Sequence, residues 1–403
     1  MKIINQSIIK GNNLREMYEI IFHEKSVSRI EIAKRLNLSK TTVSCLAEEL
    51  IGLRLVEDLG VTKKENGVGR NPNGLGVVSG ANFIAVIDWS KERTELRLVD
   101  ISSGESILCR NMPVKNDCDY ADATKACYLI AKDYLRDTQK LLAVCIIIPG
   151  LIDSKQETII SIQLGIDSEI GRNLIKKLRS YFYQTSACLL NDSACMAYAE
   201  IDAARLEKTD FAYINAVNGI GAAIYYNQRI LGNATGLATQ IGHCCVKPNG
   251  PICGCGSRGC LDVVAGESAL TDYSIDVGKD RSNQKNRELN YTLLRELADK
   301  GNKQADEILM QLADYFSTVI VYLVSIVYPE KIVIGGRGQN LGTKFMERLK
   351  ANLVNMGFHY MMMRASVSFA ETTDEDRFIG AARYFMKEYF DYSGSIINGF
   401  YLG

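Results

Sequence analysis

The segment between residues 243 and 260 constrains the structure of this chain more than any other. It places His243, Cys253, Cys255 and Cys260 in the spacing H-x9-C-x-C-x4-C, with four glycines and two prolines between them. Three thiolates and one imidazole suit a tetrahedral zinc ion, and glycines let the backbone wrap closely around it. We therefore predict one structural zinc per chain, with all four coordination positions supplied by the protein.

Two other interpretations of this segment remain: cysteines that share a loop by chance, and a redox pair. The chain has 12 cysteines but only 3 histidines, and one of those histidines lies in this cluster, which favours the metal site. Cys244 and Cys245 are expected outside the ligand set, because adjacent residues seldom bind one ion. The cysteines scattered among apolar neighbours are expected to be small core residues in a reduced, cytoplasmic protein.

The composition is that of a globular protein, with 47% hydrophobic and 23% charged residues and a formal net charge of zero. Residues 1–75 hold 12 Lys and Arg against 9 Asp and Glu, an excess too small to argue for nucleic acid by itself. The N-terminus lacks a signal-peptide pattern, and apolar runs such as residues 141–152 fall short of the roughly 20 residues that a membrane span needs. We expect no contact with a membrane.

At 403 residues the chain is long enough for two or three folding units. After Phe83, short β-branched runs alternate with helical stretches, which predicts an α/β domain with largely parallel sheets. The predicted strands are residues 83–89, 95–100, 141–148, 211–217 and 331–336, and the predicted helices include 120–135, 169–182 and 305–327.

Residues 28–50 have the pattern of a helix-turn-helix. Ser28 and Glu31 are placed as a capping box, and Ser39 can cap a second helix from Lys40 to Leu50. The first helix has the apolar residues Ile30, Ile32, Ala33 and Leu36, and the second has Val43, Leu46 and Leu50. The polar residues left for DNA are Ser39, Lys40, Thr41, Thr42 and Ser44.

The residues that follow are consistent with a wing. A strand from Leu53 to Asp58 leads into a glycine-rich stretch, residues 60–76, that carries Lys63, Lys64 and Arg70. An ordinary helical hairpin followed by a bare linker is the alternative. We predict a winged helix-turn-helix over residues 1–76 that binds double-stranded DNA, at an inverted repeat and as a homodimer or a dimer of dimers.

The whole set of motifs resembles the ROK family, which comprises sugar-responsive bacterial repressors and related sugar kinases. The motifs that carry the resemblance are residues 146–153, the pair Asn191-Asp192, and residues 219–222, 236–243, 253–260, 329–336 and 377–382, while Arg70-Asn71-Pro72 resembles the end of the wing in its repressors. The resemblance implies an actin/hexokinase-type α/β fold with two lobes over residues 77–403.

The resemblance also implies a sugar site. In the family's kinases the residue that matches Asp192 is the general base for the sugar hydroxyl, and a carboxylate suits that task. The other implied sugar-binding positions are Gln163, Asn191, Gln240, His243 and Asp262. If one ring nitrogen of His243 binds zinc, the other can face the sugar. By spacing alone, the alternative role for Asp192 is the N-cap of a helix after residues 187–190.

Departures from the kinase pattern argue against catalysis. The kinases begin this domain with Asp-x-Gly-Gly-Thr, whose glycines bring backbone amides to phosphate. Residues 88–94 of this chain lack both glycines. Gln240 and Asp262 replace glutamates, and Gln163 stands near a common asparagine. We expect no use of ATP, no catalytic residue, and a sugar site in which Asp192 is a former base.

The predicted function is a DNA-binding repressor controlled by a sugar or sugar derivative. Binding between the two lobes would change their closure and thereby the spacing of two DNA-reading heads. Two alternatives remain: an active ATP-dependent sugar kinase with a DNA-binding head, and a ligand-independent DNA binder with a degenerate sugar pocket.

Overall fold

The structure is a computed structural model that describes residues 6–61, 73–115, 119–273, 275, 289–393 and 399–403. Contacts within the chain divide it into two compact units. The first unit comprises residues 1–146, 176–188 and 382–401, and the second comprises 147–175, 189–381 and 402–403.

The N-terminal part of the first unit is a small helical head with a three-stranded sheet of order β1-β3-β2. Its elements are α1 (Gln6–Glu24), β1 (Val27–Ser28), α2 (Arg29–Arg35), α3 (Lys40–Gly52), β2 (Val56–Val61) and β3 (Asn73–Val77). Strands β2 and β3 pair antiparallel, with Val56 opposite Val77 and Val61 opposite Asn73. This order of elements is that of the predicted winged helix-turn-helix.

Local hydrogen bonds explain where α2 and α3 begin. The hydroxyl of Ser28 accepts from the amide of Glu31 at 3.2 Å, and that of Ser39 accepts from the amide of Thr42 at 3.0 Å. The turn between the helices needs a positive φ, which Asn37 adopts at 52°. The Glu31 carboxylate pairs with Arg35 at 2.7 Å, so only the serine half of the predicted capping box is formed.

The head has its own apolar core, to which all three helices contribute. Its fully buried residues are Leu14, Met17, Ile21, Ile32, Val43, Leu50 and Leu75. One predicted core residue is wrong: Ile30 is 58% exposed, because it lies on the outer side of α2, one residue after the helix begins.

A six-stranded sheet has the order β16-β10-β7-β4-β5-β6. Its strands are β4 (Asn82–Trp89), β5 (Arg93–Asp100), β6 (Ser106–Pro113), β7 (Lys140–Ile148), β10 (Ala187–Asn191) and β16 (Phe400–Leu402). Strands β4, β5 and β6 belong to the first unit, and the residues of β7, β10 and β16 are divided between both units. Helix α4 (Tyr120–Tyr134) lies in the first unit, whereas α5 (Ser168–Tyr181) and α12 (Arg377–Glu388) contribute residues to both.

The second unit contains a five-stranded sheet of order β13-β12-β11-β14-β15 and a small β8–β9 hairpin. Its strands are β8 (Leu151–Asp153), β9 (Thr158–Ile160), β11 (Phe211–Ala216), β12 (Ile220–Tyr226), β13 (Arg229–Ile230), β14 (Lys331–Gly336) and β15 (Ser366–Phe369). Its helices are α6 (Asp192–Ala204), α7 (Leu261–Ala265), α8 (Tyr291–Asp299), α9 (Lys303–Val327), α10 (Gly342–Asn355) and α11 (His359–Met362). Short 3-10 turns occupy Asn233–Thr235, Ile241–His243, Glu267–Asp272, Arg337–Leu341 and Asp374–Asp376.

The sheets are mixed, which corrects the expectation of largely parallel sheets. Strand β5 pairs antiparallel with both β4 and β6, and β12 pairs antiparallel with β11. Strand β14 is parallel to both β11 and β15. The antiparallel neighbours are joined by turns of a few residues, and such turns are too short for the crossover that a parallel pair requires.

Helix α9 is the one described helix that is long and apolar enough to cross a membrane by length and composition. Leu309, Leu312, Phe316 and Ile320 on one of its faces are fully buried in the core of the second unit. Packing against the protein's own core therefore accounts for much of its apolar character.

Candidate functional site

The structure exposes one polar surface of α3. Ser39, Lys40, Thr41, Thr42 and Ser44 are all exposed, whereas Val43, Leu46 and Leu50 on the opposite side are buried. The hydroxyl of Thr42 lies 2.8 Å from that of Ser39, and the hydroxyl of Ser44 donates to the carbonyl of Lys40 at 3.0 Å. The buried side fixes the helix while the exposed side stays available to a partner.

The predicted wing residues Lys63, Lys64 and Arg70 lie outside the described residues. The strands that lead to them are described, and an ion pair holds the base of this hairpin to the helices. Arg29 at the start of α2 bonds to the Asp58 carboxylate on β2 at 2.7 Å. This hydrogen bond lowers the pKa of Asp58, which keeps the pair charged at neutral pH.

The side chains of His243, Cys253, Cys255 and Cys260 converge in the second unit. Their four ligand atoms lie within 4.8 Å of one another, so they could hold a metal ion. The Sγ atoms of Cys255 and Cys260 are 3.7 Å apart, and Sγ of Cys253 is 3.5 Å from Nδ1 of His243. Since Nδ1 faces the thiols, Nε2 is the ring nitrogen left for another partner.

Tight turns shape the loop that carries the cysteines. The amide of Cys253 donates to Ser257 at 2.7 Å, and the amide of Gly256 donates back to Cys253 at 2.9 Å. Gly259 has a φ of 62°, and a Cβ at that position would collide with the carbonyl of Lys247. A glycine is therefore required there for the loop to close.

A polar cluster forms where β10 meets α6. The Asn191 side chain is the N-cap of α6, since its Oδ1 accepts from the amide of Ala194 at 3.1 Å. Its Nδ2 donates to the carbonyl of Gly150 at 2.9 Å and to Oδ1 of Asp192 at 3.0 Å. Asn191, and not Asp192, is therefore the N-cap of α6. The Asp192 carboxylate is not used to cap the helix and can accept hydrogen bonds from other groups.

A second group of predicted residues lies around the turn from Gly219 to Gly221. The amide of Ile220 donates to Oδ1 of Asp262 at 2.7 Å. A Cβ on Gly219 would lie 2.6 Å from that same oxygen and 3.3 Å from Nε2 of Gln163. Gln163 and Asp262 are therefore neighbours across a glycine that keeps the space open.

The Gly219–Gly221 turn connects the two groups. A Cβ on Gly221 would collide with the hydroxyl of Ser193, the residue that follows Asp192. Gln240 lies near Asn191, with Gly236 between them. Its Nε2 donates to the Gly236 carbonyl at 2.7 Å. A Cβ on Gly236 would lie 2.9 Å from Nδ2 of Asn191.

Burial raises the pKa of both carboxyl groups in this region. For Asp192, hydrogen bonds from Ser193 and the charge of Arg377 partly offset the effect of burial. For Asp262, the amide of Ile220 and the nearby His243 ring oppose it. Two half-buried carboxyl groups among amide side chains can accept hydrogen bonds from several hydroxyl groups of one ligand.

The β4–β5 turn, where the sequence lacks the kinase glycines, is held by Tyr120 of α4 and by a hydrogen bond of its own. Trp89 is 1% exposed and stacks on Tyr120, with ring centroids 4.7 Å apart. The Tyr120 hydroxyl donates to the carbonyl of Ser90 at 2.8 Å, and the Ser90 amide donates to Arg93 at 2.9 Å. The Ser90 amide is therefore already used within the turn.

Asn215 is a member of the cluster that the motifs did not identify. It lies on β11, and its side-chain amide donates to Oδ2 of Asp192 at 3.4 Å. The available signal was a single polar residue within the buried strand FAYINAV. Only the pairing of strands could show that this residue faces α6.

The family model described as "ROK family" matches residues 87–388. A putative xylose repressor of Caldicellulosiruptor sp. strain Rt8B.4 is 26% identical over 382 residues, which cover 90% of this chain and 93% of that protein. The DNA-binding transcriptional dual regulator NagC of Escherichia coli K12 is 26% identical over 344 residues, which cover 83% of this chain and 82% of that protein.

Two solved structures show a similar fold. A ROK family transcriptional regulator, described as a homologue of the E. coli MLC protein, superposes with a TM-score of 0.78 at 20% identity and covers 94% of this chain and 96% of its own. A ROK family glucokinase from Streptomyces griseus, solved with glucose and AMPPNP, gives a TM-score of 0.57 at 21% identity and covers 74% of this chain and 98% of its own.

Proposed function

Since this chain belongs to the ROK family, we propose that it is a transcriptional repressor whose kinase-like domain binds a carbohydrate effector. The observation that carries the proposal is the presence, in one chain, of an exposed polar surface on α3 and a half-buried hydrogen-bonding cluster around Asp192. The first suits DNA, and the second suits a ligand with many hydroxyl groups. The proposed division is a DNA-binding domain over residues 1–76 and a sensor over residues 77–403.

The DNA half rests on α3 and its N-terminal residues. The proposed contacts are Ser39, Lys40, Thr41, Thr42 and Ser44, with Lys63, Lys64 and Arg70 from the wing. Short hydroxyl side chains and one lysine at the start of a recognition helix can reach both bases and phosphates. We propose that a homodimer, or a dimer of dimers, binds an inverted repeat whose half-sites are about one helical turn apart or a multiple of it.

Alanine at Thr41 should weaken operator binding by about 1–3 kcal/mol and relax the base preference at one position, because it removes a base contact.

Alanine at Lys40 should weaken binding to all DNA sequences, because it removes a phosphate contact. The slope of the logarithm of the binding constant against the logarithm of the salt concentration should become smaller by about 1. The operator would first be selected from random duplexes, and affinity would then be measured by fluorescence anisotropy over a range of salt.

Lys155 provides the matched control for these variants, because it is exposed in the second unit and distant in sequence from α3. Lys155→Ala should bind the operator as the wild type does. Wild-type affinity and salt slope in the Thr41 and Lys40 variants would show that α3 is not the reading helix.

The effector half rests on Gln163, Asn191, Asp192, Gln240, His243 and Asp262. The relatives named for xylose and N-acetylglucosamine suggest where to look for the ligand. A thermal-shift screen of D-xylose, D-glucose, N-acetyl-D-glucosamine and their phosphorylated forms would find a binder, because a ligand specific for the folded state must raise the melting temperature. Failure of every sugar to shift it would favour a ligand-independent DNA binder.

Zinc is the metal proposed for the cysteine–histidine cluster. For tetrahedral zinc with Zn–S of about 2.3 Å and Zn–N of about 2.0–2.1 Å, two sulfurs lie about 3.8 Å apart, and sulfur and nitrogen about 3.5 Å apart. The separations of 3.7 Å for Cys255–Cys260 and 3.5 Å for Cys253–His243 fit these values. One ion per chain would fix the cysteine loop and the orientation of the His243 ring beside Asp262.

An active sugar kinase is the second candidate function, favoured by the retained Asp192. The β4–β5 turn argues against it. Its Ser90 amide is bonded to Arg93, and its Ser90 carbonyl is held by Tyr120. We propose that the protein binds no ATP and is not an enzyme. Incubation with labelled ATP and a panel of hexoses should give no sugar phosphate.

We also propose that the protein is located in the cytoplasm, because a DNA-binding regulator acts where its DNA is.

A further inference from the structure

Asn215 occupies a position at which the sheet makes room for one side chain. It is the penultimate residue of β11, and its register partners are Gly221 on β12 and Gly335 on β14. In-register residues on adjacent strands face the same side of a sheet, so neither neighbour places a side chain beside Asn215. This is the side on which α6 packs, because a Cβ on Gly221 would meet Ser193.

The Asn215 amide completes the hydrogen bonding of the Asp192 carboxylate. Oδ1 of Asp192 accepts from Nδ2 of Asn191 at 3.0 Å and from the Ser193 hydroxyl at 3.4 Å. Nδ2 of Asn215 donates to Oδ2 at 3.4 Å. The carboxylate is thus held at both oxygens by neutral donors. Oδ1 thus accepts two hydrogen bonds and Oδ2 accepts one, so Oδ2 keeps a lone pair that can accept a hydroxyl group.

The other end of the Asn215 side chain has no partner. The residue is only 5% exposed, yet its Oδ1 makes no hydrogen bond with the described part of the chain. A flipped amide would not remove the problem, because a carboxylate can only accept and therefore selects the NH2 end. A buried amide oxygen without a donor is unusual in a folded protein and indicates a missing ligand or water.

Gly336 lies directly against this oxygen. A Cβ at Gly336 would lie 2.8 Å from Oδ1 of Asn215, and its φ of 60° with ψ of −146° is a conformation that side chains rarely adopt. Alanine there would be strained and would cover the oxygen. Gly336 therefore brings no side chain against an acceptor oxygen that belongs to the same amide as Nδ2, which lies 3.4 Å from Oδ2 of Asp192.

We propose that Asn215 is a positioning residue of the effector site, which fixes Asp192 through its N–H and accepts a hydrogen bond from a ligand hydroxyl, or a water bound with it, through its carbonyl. This inference rests on the proposed function, because it deepens the description of that effector site. It implies a neutral polyhydroxyl ligand, since the two groups that Asn215 brings together are both acceptors, and one of them is a carboxylate.

The first test needs no ligand. The side-chain carboxyl of Asp192 would be titrated by 13C NMR in the zinc-loaded, full-length protein, with wild type compared with Asn215→Leu. Loss of a donor to a carboxylate raises its pKa, so the variant should titrate about 0.5–1 pH unit higher. Arg377 is the charged residue that lowers the pKa of Asp192, and it is unchanged in both proteins. Asn218→Leu, an exposed asparagine three residues later, is the control and should titrate as wild type.

The second test is calorimetric titration of the same proteins with D-xylose, D-glucose and N-acetyl-D-glucosamine. Asn215→Leu should bind the wild-type ligand about 10- to 100-fold more weakly, and Asn218→Leu should bind it normally. If the leucine variant does not fold, Asn215→Thr replaces it, because threonine suits a strand but is too short to reach Asp192.

The outcomes separate the two claims. If wild type binds a sugar while Asn215→Leu binds it equally well and titrates normally, the role given to Asn215 is wrong. If no sugar binds wild type, the effector assignment fails, and the Asp192 titration alone decides: a shifted curve supports the positioning role, and an unshifted curve overturns it.

Discussion

Cys255→Ser should lose the bound metal and lower the melting temperature of the second unit by many degrees. The substitution removes one of four ligand atoms that lie within 4.8 Å of one another. Loss of a direct ligand should cost more than the 10- to 100-fold in metal affinity that loss of an outer hydrogen-bond partner typically costs. Since metal binding stabilises only the folded loop, weaker binding becomes lower stability. Metal content by mass spectrometry and melting by calorimetry would measure both.

Cys245→Ser is the control for this experiment. Cys245 is exposed and neighbours the cluster without belonging to the four-residue set. This variant should keep about one zinc per chain and the wild-type melting temperature. If the wild type, purified without added zinc, contained no metal and was fully folded, the metal assignment would be refuted.

Asp192→Asn should weaken effector binding by about 1.5–3 kcal/mol, or roughly 10- to 150-fold, the range for hydrogen bonds to a charged group. The Asp192 carboxylate is half-buried, is already oriented by Asn191 and Asn215, and keeps one lone pair on Oδ2 for a ligand hydroxyl. Operator affinity without effector should hardly change, because the substitution lies in the second unit, outside the reading head. Calorimetry with the effector, and anisotropy with the operator, would measure the two effects separately.

The pH dependence has a defined sign. Burial raises the pKa of Asp192, so effector binding should weaken as the pH falls through that raised value and the carboxylate becomes protonated. For folding the sign is opposite: a carboxyl with a raised pKa in the folded state destabilises it at higher pH, and stability falls as the pH rises from the unfolded to the folded pKa. Asp192→Asn without effector should therefore melt no lower than wild type at neutral pH. A clear decrease in melting temperature would show that the charge is structural.

The same variant also tests catalysis. Phosphorylation of a hexose by wild type that disappeared in Asp192→Asn would identify Asp192 as an active base and overturn the sensor assignment. We expect no phosphorylation by either protein.

Local signals were sufficient to predict several parts of the structure. Ser39 predicted the start of α3 because an N-cap acts through the next three residues alone, and the structure begins that helix at Lys40. The H-x9-C-x-C-x4-C spacing predicted a compact cluster because a short glycine-rich loop has few ways to bring four ligands together. The fold comparisons confirm the actin/hexokinase-type α/β fold that the motifs implied.

Local sequence signals could not predict the parts of the site that depend on strand pairing. Asn215 reaches Asp192 only because β11 pairs with β12 and β14 at two glycines, and that register is set by residues far apart in sequence. The expectation of parallel sheets failed for a related reason. The alternation of strands and helices favoured parallel sheets, whereas the turns after Trp89 and Asp100 are too short for a crossover and give antiparallel neighbours.

The closed turn after Trp89 affects what such a regulator can measure. An enzyme that phosphorylated its effector would convert each bound sugar into product. The occupancy of its effector site would then depend on the rate at which the sugar is supplied as well as on the sugar concentration. A protein that carried out no phosphorylation, as we propose from the turn whose Ser90 carbonyl is held by Tyr120, would release the molecule unchanged. Its occupancy is then an equilibrium quantity, set by the free sugar concentration and one dissociation constant. Transcription would follow the size of the sugar pool and leave that pool undiminished.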